Sequence, residues 1–129
     1  TMELLAIHHA AIICSNYIES KAFYTEILGL TVINEDYRAE RDSYKLDLAL
    51  ADGSQIELFS FPDAPIRPSY PEAQGLRHLA FAVKDIKQAK QVLEAQGVDV
   101  EDIRVDEITG KAFTFFADPD DLPLELYQV

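Results

Sequence analysis

The feature that most constrains this chain is that it is written twice: residues 7 to 61 lay over residues 76 to 129 with the same order of structural signals. Each half opens on an alternating apolar run, Ile7 to Cys14 and Leu76 to Val83, that predicts a strand. Each run ends at a helix-capping residue followed three positions later by Glu or Gln, Asn16 with Glu19 and Asp85 with Gln88. Behind the caps, apolar residues recur at helical spacing (Ile18, Ala22, Phe23, Ile27; Ile86, Ala89, Val92, Leu93), and Gly29 and Gly97 supply a left-handed stop. Runs of β type follow. They are Leu30 to Ile33, Tyr44 to Leu50 and Gln55 to Phe61 in the first half, and Val98 to Val105, Ala112 to Phe116 and Leu122 to Tyr127 in the second.

Pro62, Pro65, Pro68 and Pro71 block both helix and ladder formation, so residues 62–75 read as a connector between modules of about 7–61 and 76–129. One four-stranded unit leaves an edge and a face uncovered, and joining two units covers both. The expected fold class is therefore α+β: a single domain, 1–129, of two βαβββ modules that form a curved mixed sheet with the helices outside.

With 129 residues, 48% apolar residues and only 5 Gly, the chain can bury a sizeable core without a disulfide or structural metal. No segment approaches the ~18 apolar residues of a membrane span, so no membrane partner is expected. The one cysteine, Cys14, excludes an internal disulfide framework. A lone cysteine and the absence of a basic, then apolar leader at the N-terminus predict a cytoplasmic protein. A net charge of −12 repels a polyanion, which argues against nucleic-acid binding, and favours a cation.

Four potential ligands stand at repeat-related places. His9 lies seven residues before Asn16, and His78 lies seven before Asp85; this register selects His9 over its neighbour His8. Glu57 in Ile56-Glu57-Leu58 closes the first half, and Glu125 in Leu124-Glu125-Leu126 closes the second. Alternation puts His9, Ala11 and Ile13 on one sheet face and His8, Ala10 and Ile12 on the other. A glutamate amid apolar strand residues is costly to bury unless it is paired or bound to a metal. Two neutral imidazoles and two carboxylates neutralise a divalent ion. They suit nickel or zinc, and also cobalt, manganese or iron, whereas calcium wants more oxygens.

The runs Ile7-His8-His9-Ala10-Ala11-Ile12, Ala22-Phe23-Tyr24 with Leu28-Gly29-Leu30, Ile56-Glu57-Leu58, Arg77-His78-Leu79-Ala80-Phe81 and Ala117-Asp118-Pro119-Asp120 with Leu124-Glu125-Leu126 closely resemble the glyoxalase/vicinal-oxygen-chelate superfamily over essentially the whole chain. The resemblance implies a metal site in a concave sheet and a substrate that chelates the ion through neighbouring oxygens. The set His9, Glu57, His78 and Glu125 is similar to that of glyoxalase I, or lactoylglutathione lyase. The implied reaction is isomerisation of a hemithioacetal of a 2-oxoaldehyde. A carboxylate, Glu125 first and Glu57 second, removes the proton next to the carbonyl while the metal stabilises the resulting charge. A homodimer is implied as well, each site taking all four ligands from one chain or two from each of two chains.

The bacterial glyoxalase I pattern places Arg four residues after the first metal His and Asn four after the first metal Glu; here Ile13 and Phe61 stand there. An apolar pair cannot grip the charged ends of glutathione, so the small-molecule substrate is expected to differ. Alternation turns Ile13, Phe59, Phe61, Ala80, Ala82 and Tyr127 toward the concavity, either as a mostly apolar pocket or as ordinary sheet core. Arg38, Arg41 and Lys45, in the charged stretch 34–45, are candidates to hold a substrate carboxylate or to form a solvated hairpin. The competing readings are another metal-dependent reaction on the same scaffold, such as epimerisation or oxygen insertion, and a non-catalytic small-molecule binder of the resistance-protein kind.

Overall fold

The computed structural model describes all residues, Thr1–Val129, and divides into two compact units, Thr1–Pro65 and Ile66–Val129. The division falls inside the proline-rich connector.

The first unit runs β1 (His9–Cys14), α1 (Tyr17–Ala22), a π-helical segment (Phe23–Ile27), β2 (Thr31–Arg38), β3 (Ser43–Ala49) and β4 (Gln55–Ser60). Its mixed sheet has the order β1-β4-β3-β2, with β1 parallel to β4 and both other pairings antiparallel. The second unit runs β5 (Leu79–Val83), α2 (Ile86–Ala95), β6 (Arg104–Val105), β7 (Ala112–Ala117) and β8 (Pro123–Gln128). It repeats the order as β5-β8-β7-β6, again with the first and last strands parallel. The fold is α+β, with one four-stranded mixed sheet and one principal helix in each module.

Both helices begin as the sequence predicts. The side chain of Asn16 accepts the Glu19 backbone N–H, and that of Asp85 accepts the Gln88 N–H, each satisfying a donor that the first helical turn leaves orphaned. The first helix departs from expectation after Ala22, where the backbone steps to the wider π spacing: Leu28 N–H donates to the Phe23 carbonyl at 3.0 Å. Consecutive Phe23 and Tyr24 are both buried there. Gly29 and Gly97 take positive φ, as their stop positions require.

One face of each sheet carries the core. In the first unit Ile12, Cys14, Leu46, Leu48, Ile56 and Leu58 are buried on the face against which α1 packs at β4; in the second Leu124, Leu126 and Phe116 are buried with Ile86 and Leu93 of α2. Because side chains alternate along a strand, the residues between these lie on the opposite, open face. That face carries His9, Glu57, His78 and Glu125. No helix is long and apolar enough to cross a membrane.

The boundaries of four strands differ from the sequence reading. β1 starts at His9 and β5 at Leu79, so Ile7, His8 and Leu76 to His78 precede their ladders. β2 extends through Asn34–Arg38, residues expected to be a charged hairpin, because it pairs along almost its whole length with β3. β6 shrinks to two residues of the expected 98–105. Its backbone finds other partners: Glu101 N–H donates to the Phe115 carbonyl, while Lys90 Nζ and Thr114 Oγ1 donate to the Glu101 carbonyl.

Candidate functional site

Strand register explains how residues 48 positions apart in sequence meet. β1 pairs with β4 so that Ala11 faces Glu57 and His9 faces Gln55; the His9 ring, one step back on the same face, reaches the Glu57 carboxylate. His9 Nε2 lies 3.4 Å from Glu57 Oε2. The second unit repeats this arrangement, with Ala80 opposite Glu125 and His78 Nε2 3.1 Å from Glu125 Oε1. The carboxylates are well covered, at 15% and 13% side-chain exposure, and the imidazoles are more open at 39% and 33%. Each pair is therefore anchored in the sheet yet accessible from one side.

These spacings fit ligands of one ion. Two donors each about 2.1 Å from a metal lie about 3.4 Å apart at a tetrahedral angle and about 3.0 Å apart at a right angle. Each unit gathers only two such donors, and no group of three or more His, Cys, Asp or Glu residues is close enough to hold a metal. The structure thus brings His9 to Glu57 and His78 to Glu125.

The surroundings of the two pairs differ. His8, set aside by the register argument, places Nδ1 2.9 Å from His9 Nδ1. When His9 donates that hydrogen bond, its Nε2 lone pair is left free for a ligand. His78 instead meets the edge of the Phe115 ring, with centroids 5.1 Å apart. Across from Glu57 stands Asp47, held by Lys45 Nζ at 2.7 Å, and the same ammonium lies 3.9 Å from Glu57. The hydrogen bond to Asp47 holds the Lys45 ammonium above its ordinary range. The corresponding strand positions in the second unit are Phe113 and Phe115.

The candidate pocket residues lie on the same open faces. Ile13 pairs with Phe59, and the Phe59 and Phe61 rings stack with centroids 6.0 Å apart. Arg38 and Arg41 lie over those rings. Ala80, Ala82 and Tyr127 share the face of Glu125. Tyr127 hydrogen-bonds Asp106 and Thr109, which secures its hydroxyl at the tip of the β6–β7 connection. A cavity of about 720 Å³ opens beside His78, bordered by Phe115, Tyr70, Arg77 and Arg104. Asp47 and the His8 contact were missed in the sequence: alternation assigns faces, but the register that sets Asp47 opposite Glu57 depends on the β3–β4 turn.

Residues 6–126 match the Glyoxalase/Bleomycin resistance protein/Dioxygenase superfamily, and the chain belongs to it. Proteins of this superfamily bind small molecules, often as dimers, and commonly use divalent metals; they include enzymes and non-catalytic resistance proteins. The chain is 61% identical over 127 residues to YwkD of Bacillus subtilis (strain 168), covering 98% of this chain and 99% of that one. It is 60% identical over 125 residues to YaeR of Escherichia coli (strain K12), covering 97% of each. The crystal structure of a glyoxalase family protein from Enterococcus faecalis matches with a TM-score of 0.88 at 52% identity, covering 95% of this chain and 96% of that one.

Proposed function

We propose that this protein is a metal-dependent lyase or isomerase of the glyoxalase I kind, acting on a hemithioacetal or a related small carbonyl compound. The observation that carries this reading is the duplicated His–Glu pair: His9 with Glu57 and His78 with Glu125, each at the separation of neighbouring ligands on one ion. The four residues would supply one ion per chain of a homodimer, with nickel or zinc as first choices and cobalt, manganese or iron also suited to the donor set. Bound there, a divalent ion would polarise a substrate carbonyl and stabilise the negative charge developing on its oxygen.

The chain's own residues do the rest. Glu125, with Glu57 second, takes the proton from the carbon next to that carbonyl and returns it to the neighbouring carbon. Ile13, Phe59, Phe61 and Tyr127 exclude water from the reacting carbons. The absence of charged side chains at Ile13 and Phe61 favours a substrate other than the glutathione adduct, and this supports a second reading, a related metal-dependent reaction such as epimerisation. The cytoplasm is the proposed location.

The test is metal content of the purified protein, followed by an assay with methylglyoxal and glutathione after reloading with nickel, zinc or cobalt. About one ion per chain with lactoylglutathione formed supports the first reading. Metal without turnover moves the reaction to another chelating substrate, and no metal under any loading leaves a binding protein.

A further inference from the structure

The chain carries 23 acidic against 11 basic residues, so an arginine without a carboxylate partner is out of keeping with its surroundings. Arg38, at the end of β2, and Arg41, in the single 3-10 turn that follows, both lack one. Three neighbouring aspartates have other partners: Asp42 accepts from the Tyr37 hydroxyl at 2.6 Å, Asp36 from Asn34 at 2.7 Å, and Asp47 from Lys45 at 2.7 Å, while Glu40, in the same turn as Arg41, makes no ion pair with either arginine. Arg38 makes only a 3.2 Å hydrogen bond to the Ser43 hydroxyl, and its buried Nε has no acceptor.

Both guanidiniums are nevertheless held in place. Arg38 lies over the Phe59 ring at 5.2 Å and Arg41 over the Phe61 ring at 4.6 Å, on the ring pair that stacks at 6.0 Å. Stacking occupies the flat face of a guanidinium and leaves the N–H groups at its edge available for a planar or tetrahedral anion. Arg104 in the second unit makes the contrast: it also lies over two rings, but its charge is answered by Glu101 at 3.1 Å.

We propose that Arg38 and Arg41 are the anion-binding end of the substrate site, taking a carboxylate or phosphate on the same small molecule whose neighbouring oxygens meet the His9–Glu57 pair. This rests on the metal-dependent reading for the chelating end alone. Phe59 follows Glu57 on the same face, about 6.6 Å along the strand, so the anion sits on the order of 10 Å from that carboxylate. The substrate is therefore a small oxygen chelator with a distal negative group. The Arg pair also supplies the charge recognition that Ile13 and Phe61 cannot.

The test is calorimetric binding to nickel-loaded protein of three probes that share a 2-oxo acid chelating end: 2-oxopentanoate, 2-oxoglutarate and 2-oxo-4-phosphonobutanoate. Wild-type protein should bind at least one anion-ended probe ~10-fold or more tighter than 2-oxopentanoate, and the tighter of the two identifies carboxylate or phosphate as the group. Arg38→Gln with Arg41→Gln should bring the three within ~2-fold while nickel content and 2-oxopentanoate affinity stay unchanged. The single change Arg41→Gln, at an exposed side chain, guards against misfolding and should remove ~3-fold of the preference. Equal binding of the three probes by wild type, or a preference that survives the double change, overturns the proposal. If the protein takes up no metal, the chelating end fails separately. Titrating inorganic phosphate against the arginine Nε–H resonances then decides the anion site: shifts at Arg38 and Arg41 that the double variant lacks support it, and their absence sinks it.

Discussion

Replacing Glu57 by Gln removes one charge and keeps the shape. In the fold the cost should be small, because Lys45 retains its 2.7 Å hydrogen bond to Asp47 when the 3.9 Å contact to Glu57 is weakened. A stability change within about 1 kcal/mol is expected. At a metal the cost should be large. Loss of an outer hydrogen-bond partner of a metal ligand lowers affinity roughly 10- to 100-fold, and neutralising a ligand that sits 3.4 Å from its partner histidine should exceed that, giving at least ~100-fold, or about 2.7 kcal/mol. Competition against a chromophoric chelator reads the affinity, and elemental analysis reads the stoichiometry. Glu125→Gln should weaken binding by a similar factor, since its pair has nearly the same geometry. The two changes combined should cost less than their sum if both carboxylates hold the same ion. Unchanged affinity in Glu57→Gln removes that residue from the ligand set, and two independently bound ions per chain would refute a shared site.

Leu58→Ala, at a fully buried position of β4, should destabilise the protein by roughly 2–5 kcal/mol in urea unfolding; a loss under about 1 kcal/mol would mean this face is not the core. Asp85→Ala removes the acceptor of the Gln88 N–H and should cost about 1 kcal/mol by the same measurement, with Asp85→Asn restoring most of it. The Glu35 carboxyl is held below its ordinary value of 4.5, first by the hydrogen bond from Lys21 and then by that from Tyr17, whose hydroxyl is in turn pushed well above its usual range by burial and by Glu35. A depressed folded-state value means stability present above about pH 4.5 and lost as pH falls through the lower folded value. The stability difference between wild type and Glu35→Gln should therefore shrink between about pH 6 and pH 3; a difference that grows on acidification contradicts the assignment.

What was legible in the sequence follows from local physics. The caps at Asn16 and Asp85 and the stops at Gly29 and Gly97 were readable because each satisfies a backbone need within a few residues. His9 was separable from His8 because alternation and the distance to the cap act together, and His9 is the histidine whose ring reaches Glu57. The length of β2 was hidden because an edge strand with polar side chains on both faces has no apolar signal beyond Ile33; its pairing to Ser43–Ala49 is a backbone property. β6 failed the other way. Val98, Val100, Ile103 and Val105 read as a strand, yet side chains and isolated backbone contacts take the hydrogen bonds a ladder would have used. The contrast between Lys45 with Asp47 and Phe113 with Phe115 at equivalent places was visible as letters, but only the registers show that both flank a candidate ligand.

In each unit the first strand lies parallel to the last, so the sheet cannot close until the whole module has been made and wound back on itself. His9 waits for Glu57 and His78 for Glu125, across nearly the full length of their modules. A partly folded module, however much helix and hairpin it has formed, owns a histidine or a glutamate but not the pair. An ion that required such a pair would bind only chains whose modules are finished. Its binding energy would then add to the native state and to nothing that precedes it, tying chain completion to the capacity for chemistry.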